Sequence, residues 1–279
     1  MSVPGVQLGE RLGPFAAQLG HDFLAEYAAA IRDPSAAARH GDVALPVALV
    51  TKIWEAQEAG RVALTAREVQ SGAVGGVHGE HELLLHRPVE VDDELRVFVT
   101  GQGARASRDK SFVTLRYSML DARDDLVAEQ WWTTVYFGVG CVGVGEPPPD
   151  HTFPEPARDA PLGVHTVRVD GEMTRAYAAV SDDWSAHHFE VAAARASGFD
   201  RVFLHGLCTM ALCAQGVTRL AAGGDPTRLR RLSVRFAAPT FLDEDLHVHL
   251  YDAGHLGIAF EADCAGSTVI AHGRAELFG

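Results

Sequence analysis

The chain has 279 residues, 47% of them hydrophobic, enough to fill one large core or two modest ones without disulfide or metal staples. Its 24 Lys and Arg against 37 Asp and Glu leave a formal charge of −13. That balance argues against a broad nucleic-acid or anionic-membrane surface, since phosphate contacts need a local excess of cations.

The N-terminus, "MSVPGVQLGERLG", lacks a charged start followed by an apolar run, and no apolar run approaches the ~20 residues of a membrane helix. Cys141, Cys208, Cys213 and Cys264 form no CxxC pair, so free thiols are expected. Together these features imply a soluble, cytoplasmic protein.

In chain order, the first distinctive stretch is "YAAAIRDPSAAARH", Tyr27 to His40. "PVALVTKIWEAQ" then reads as an apolar helix, and strands are expected around "HELLLHR", "ELRVFVTG", "SFVTLRYS" and "VAEQWWTTVYF". Residues 138–164 are dense in glycine and proline, which interrupt helices and ladders alike, so they read as a linker. Beyond it come a short extended piece, "HTVRV", and a polar helix ending near Ser181. "YAAVSDDWSAHH" occupies Tyr177 to His188, and "HGLCTMALCAQGVTRLAA" reads as a buried helix because most of its faces are apolar. Four strand candidates close the chain: "RLSVRFA", "DLHVHLYD", "LGIAFEADC" and "TVIAHGRAELF".

The two halves repeat one unit. Tyr27, Asp33 and Ser35 fall on Tyr177, Asp183 and Ser185 at an offset of 150 residues. "RPVEVDDELRV" falls without a gap on "APTFLDEDLHV" at an offset of 151, Pro88 meeting Pro239 and Asp92 meeting Asp243. The expected organisation is an N-terminal module at 1–137, the linker at 138–164 and a C-terminal module at 165–279. Each module would be α+β, an antiparallel sheet wrapped around an apolar helix, with the two sheets pairing edge to edge.

The pattern Y-x-x-x-S-D-D-W-S-A-H-H, followed by G-F-D-R-V-F-L-H-G, resembles the MaoC-like family of (R)-specific enoyl-CoA hydratases, or hydratase 2. Tyr177, Ser181, Asp183, His188, Gly198, Phe199, His205 and Gly206 match the family pattern in place. "RFAAPTFLDEDLHV" and, in the first half, "VHGEHELLLHRP" are similar to further segments of the family's two-module members. The resemblance implies a double hot-dog fold and reversible hydration of a trans-2-enoyl-CoA to the (3R)-3-hydroxyacyl-CoA, without metal or redox cofactor. Asp182, Ser185 and Ala186 depart from the family's Gly, Asn and Pro.

Such hydration needs a water positioned and deprotonated at the β-carbon, a proton at the α-carbon and a stabilised thioester oxygen. The resemblance gives Asp183 and His188 the water. It gives Gly206, at the start of the buried helix where N–H groups lack intrahelical partners, the oxygen. An Asp and a Ser at a helix end are otherwise ordinary caps, and a core His an ordinary satisfied side chain. His187 is out of register with the pattern, and His205 reads as ordering the loop before Gly206.

The first half keeps Asp33, but Ala38 stands at the histidine position and His40 comes two residues too late. The segment between Ala38 and Pro46 is also shorter than its counterpart, which would leave room for a long acyl chain beside "PVALVTKIW". For the thioester's phosphates, Arg231 and Arg235 are the candidates among the arginines of "TRLRRLSVRF". The partners expected are the acyl-CoA substrate and a second copy of the chain, with neither nucleic acid nor membrane. The alternatives are a dehydratase of carrier-bound 3-hydroxyacyl chains in fatty-acid or polyketide assembly and a non-catalytic acyl-CoA-binding subunit.

Overall fold

A computed structural model describes residues 3–279. In chain order its elements are β1 (Arg11–Gln18), α1 (His21–Ala30), α2 (Ala36–Arg39), α3 (Trp54–Leu64), α4 (Arg67–Gly72), β2 (Gly75–Leu85), β3 (Glu94–Ser107), β4 (Lys110–Leu120), β5 (Leu126–Phe137) and β6 (Val144–Gly145). After these come β7 (Pro161–Val169), α5 (Gly171–Ser181), α6 (Val191–Ala196), α7 (Gly206–Leu220), β8 (Leu229–Phe236), β9 (Glu244–Asp252), β10 (Ile258–Cys264) and β11 (Ser267–Leu277).

The strands of the first half run in the order β1-β3-β4-β5-β2, and those of the second in the order β7-β9-β10-β11-β8. The two orders are the same, element for element, and the strand pairs within them are antiparallel. Even the turn before the third element is shared: Asp92 and Asp243, matched in the sequence, both take left-handed backbone, at φ 66° and 63°. Helix α3 packs on β1, β3 and β4, and α7 packs on β7, β8 and β9. This is the α+β, double hot-dog architecture.

The period of two expected in "DLHVHLYD" is realised in β9, where Leu246, Val248 and Leu250 are buried and the residues between them face outward. Burying each such side chain contributes ~1.5–3 kcal/mol. In α7 every residue from Leu207 to Val217 is buried, as its apolar circumference requires.

The chain forms two compact units, and they do not follow chain order. One holds Lys52–His86, Glu94–Asp150 and the N-terminal segment through Gln18. The other holds Leu19–Thr51, Arg87–Asp93 and His151–Gly279. Thus α1 belongs with α5 and α7. The Arg32 guanidinium donates to both oxygens of Asp170 at 2.8 Å, and Gln215 Nε2 donates to the Ile31 carbonyl at 2.7 Å. Within the Gly/Pro-rich stretch, β6 pairs with β3 and a 3-10 turn covers Glu155–Asp159.

The helix expected at "PVALVTKIWEAQ" differs from the observed one. Pro46–Thr51 is a 3-10 turn, and α3 begins only at Trp54. Val47, Val50 and Thr51 are β-branched, and the Thr51 hydroxyl donates back to the Ala48 carbonyl at 2.9 Å, which favours the tighter turn. The four cysteines are free. Among the described residues no helix is long and apolar enough to cross a membrane.

Candidate active site

Helix α5 starts on a side-chain cap, Asp170 accepting from the Glu172 and Met173 N–H groups, and ends at Asp182 in left-handed backbone (φ 58°). That conformation explains why a glycine suits the position, and aspartate is among the side chains that tolerate it. Ser181 donates its hydroxyl to the Tyr177 carbonyl at 2.8 Å, closing the last turn. The chain then reverses, and Asp183 emerges two residues beyond the helix.

Asp183 is held by its own loop. Its Oδ1 accepts from the Ser185 hydroxyl at 2.5 Å and from the Ser185 N–H at 3.1 Å. Ser185 therefore does the holding at the position where the sequence departs from the family asparagine. A 3-10 turn, Ala186–His188, follows and delivers His188 into the interior, 5% exposed.

The protonation of His188 follows from its partners. Nδ1 lies 2.9 Å from the Phe203 carbonyl, which can only accept, so the ring proton sits on Nδ1 and Nε2 carries a lone pair. Burial, with His205 and His187 close by, pushes its pKa down to about 3 against the opposing pull of the Phe203 carbonyl and Asp183. Nε2 stands 4.0 Å from Asp183 Oδ2.

His205 ends the loop before α7 and stacks on His188 with ring centroids 3.8 Å apart. Its Nε2 donates to the Asp183 carbonyl at 2.9 Å, so it ties the acid's backbone to the start of α7. The loop is docked in turn by the Leu204 N–H on the Thr240 carbonyl at 2.8 Å and by a bridge between Phe203 and Phe241. Gly206 opens α7, and its N–H meets no acceptor among the described residues. A Cβ there would come 3.2 Å from the Phe236 ring, so glycine keeps the approach to the N–H open.

The structure thus brings Asp183, His188 and His205 together at the mouth of α7. One candidate ligand atom from each lies within 4.8 Å of the others, a set that could also hold a cation. His187 turns aside and stacks on Phe203. Arg231 gives its guanidinium to Glu276 at 3.1 Å and is already engaged by a carboxylate; Arg235 lies on β8 opposite Ala271. The part played by the Phe203 carbonyl had no side-chain signal in the sequence, because any residue supplies a backbone carbonyl.

Residues 153–265 match the family described as MaoC like domain. The chain is 28% identical over 203 residues to 3-hydroxyacyl-thioester dehydratase Y of Mycobacterium tuberculosis, covering 68% of this chain and 67% of that one. It is 23% identical over 207 residues to a probable enoyl-CoA hydratase 2 of Dictyostelium discoideum, covering 72% of this chain and 69% of that one. A solved MaoC-like dehydratase from Phytophthora capsici has the same fold, with a TM-score of 0.82 at 19% identity over 96% of this chain and 95% of that one. The segment that holds Asp183, His188 and Gly206 is a MaoC-like domain, and the chain's relatives are named as hydratases and dehydratases of acyl thioesters.

Proposed function

We propose that the chain reversibly hydrates a trans-2-enoyl-CoA to the (3R)-3-hydroxyacyl-CoA, with Asp183 and His188 holding the water. One observation carries this reading. His188 Nε2 and Asp183 Oδ2 are both acceptors, 4.0 Å apart and largely buried, so neither can satisfy the other. A water placed between them donates one hydrogen to each.

The pair takes one proton as the water oxygen bonds to the β-carbon. The π electrons of the double bond move toward the thioester, and charge grows on its oxygen. The Gly206 N–H, with the dipole of α7 behind it, faces that charge. A proton returned to the α-carbon completes the addition of one water, and the same steps reversed are dehydration.

The chemistry asks nothing of a metal or redox group, and Arg235 is our candidate for a phosphate of the thioester carrier. We place the protein in the cytoplasm, with a homodimer as its proposed assembly. Crotonyl-CoA tests the reading: loss of enoyl absorbance with formation of the (3R) alcohol is expected. Binding of crotonyl-CoA without turnover, at any enzyme concentration, would leave an acyl-CoA-binding protein instead.

A further inference from the structure

His205 keeps one polar atom that hydration does not use. Its Nε2 lies 2.9 Å from the Asp183 carbonyl, which can only accept, so the ring proton sits on Nε2 and Nδ1 carries a lone pair. Nδ1 is buried and has no hydrogen-bond partner among the described residues, in a residue only 1% exposed. Leaving a buried acceptor unanswered is unfavourable, and each such atom in a folded chain calls for an explanation.

Two more bare acceptors belong to the same cluster. His188 gives its Nδ1 proton to the Phe203 carbonyl and presents the lone pair of Nε2. Asp183 Oδ2 lies 4.0 Å from that nitrogen, while both Ser185 donors go to Oδ1. The two imidazoles stack with centroids 3.8 Å apart. One nitrogen of each ring and one carboxylate oxygen all lie within 4.8 Å of one another. A water has two hydrogens, so it can answer two of the three acceptors and leaves the third over. A cation answers all three.

The donor set selects the ion. Neutral imidazoles suit zinc and its neighbours in the first transition row, whereas Mg²⁺ and Ca²⁺ ask for oxygens. Each ring already gives its other N–H to a backbone carbonyl, Phe203 for His188 and Asp183 for His205. That is the outer support that fixes the tautomer and orientation of a metal-bound histidine. Ser185 supports the carboxylate through Oδ1 in the same way. Tetrahedral bonds of ~2.0–2.1 Å set neighbouring ligand atoms about 3.3 Å apart, so the 4.0 Å edge between His188 and Asp183 must close by about 0.7 Å. A turn of the Asp183 carboxylate, on its loop beyond α5, supplies that closure.

We propose that Asp183, His188 and His205 form a site for one Zn²⁺ ion, which shuts off turnover by taking the lone pairs that hold the water. The site stands on the geometry of the three side chains; its effect on turnover rests on the hydration reading. With His188 Nε2 and Asp183 Oδ2 both bonded to metal, no group is left to take the water's proton or to return one to the α-carbon.

The test begins with the metal alone. Zn²⁺ is titrated by calorimetry into the full chain after treatment with a chelator, with Mg²⁺ in a parallel run and Co²⁺ as a visibly absorbing stand-in. One Zn²⁺ per chain is expected, with Co²⁺ bands of nitrogen and oxygen coordination and no heat from Mg²⁺. His188→Ala and His205→Gln should each weaken Zn²⁺ binding at least ~10-fold. Crotonyl-CoA hydration should fall in step with Zn²⁺ occupancy and return when a chelator is added. Lack of saturable binding would overturn the inference. So would an affinity unchanged in both variants, which would move the ion to histidines such as His247 and His249 on β9. Should His205→Gln fail to fold, Asp183→Asn, which keeps the shape and removes the charge, should show the same loss. Zn²⁺ binding by a chain that never hydrates crotonyl-CoA would sink the catalytic reading and leave the site; hydration at full rate with Zn²⁺ bound would do the reverse.

Discussion

Tyr27 and Tyr177 stand at matching positions of the two sequence repeats, and their rings meet 6.1 Å apart in the core that α1 shares with α5. Both lie in the compact unit that holds Leu19–Thr51 together with His151–Gly279. Both rings are essentially fully buried, and Tyr177 also borders His205. The packing of one repeat against the other therefore reaches the back wall of the active site. The two copies nevertheless differ where chemistry is done, and the consequences can be measured.

Asp183→Asn and His188→Ala should each lower kcat/KM for crotonyl-CoA by at least ~10²-fold, in keeping with the loss of one general acid–base group. Circular dichroism and the melting temperature should show a folded protein in both cases. Near-normal turnover by His188→Ala would remove that residue from the mechanism.

Gly206→Ala places a methyl group 3.2 Å from the Phe236 ring and beside the N–H that we propose as the donor to the thioester oxygen. We expect kcat to fall by roughly 10²-fold, the scale of losing one oxyanion donor, with little change in stability. Stopped-flow rates beside a thermal melt check both halves of this statement. An unchanged kcat would mean that the oxygen is held elsewhere.

Ser185→Ala removes the hydroxyl 2.5 Å from Asp183 Oδ1 and leaves the backbone bond in place. Since Ser185 acts through Asp183, the loss should appear in kcat, about 10-fold, with KM nearly unaltered. Ser185→Thr, which keeps the hydroxyl, should recover most of the rate. An effect confined to KM would point to contact with substrate rather than positioning.

The other unit contains a histidine pair, His81 buried and His78 half-buried, whose protonation bears on stability. His78 Nε2 lies 3.1 Å from the Glu80 carbonyl and 3.3 Å from His81 Nδ1; His81 Nε2 lies 2.9 Å from Gln130 Oε1. His81 Nε2 donates to Gln130 Oε1, and the single hydrogen on His78 Nε2 is shared between the Glu80 carbonyl and His81 Nδ1. Burial holds the His81 pKa down at about 4. An unfolded histidine titrates near ~6.5, so between that pH and about 4 the unfolded chain binds a proton that the folded chain refuses. The contribution is complete above that window and is lost as the pH falls through it. Urea midpoints should therefore drop from neutral to about pH 5, and His81→Gln should show a shallower drop. Parallel slopes for the two proteins would assign the effect to other groups.

Much of this was written in the chain itself. Period-two alternation places β9, and the apolar circumference of Leu207–Val217 places α7, because burial acts on each residue where it stands. Asp92 and Asp243 were matched by the repeat and share a backbone conformation, since a local turn depends on local residues. The spacing of Asp183, His188 and Gly206 likewise named the candidate site. Tertiary structure alone decided the rest. That α1 packs with α5 and α7 follows from contacts such as Arg32 with Asp170, 138 residues apart, which no local pattern encodes. The tautomer of His188 was set by the Phe203 carbonyl, and a backbone acceptor carries no sequence signature. Asp33 and Asp183 begin from the same loop, yet Asp183 faces an imidazole and Asp33 borders a small, chiefly apolar cleft. The surroundings of a carboxylate are made by residues distant in the chain, and those surroundings decide its chemistry.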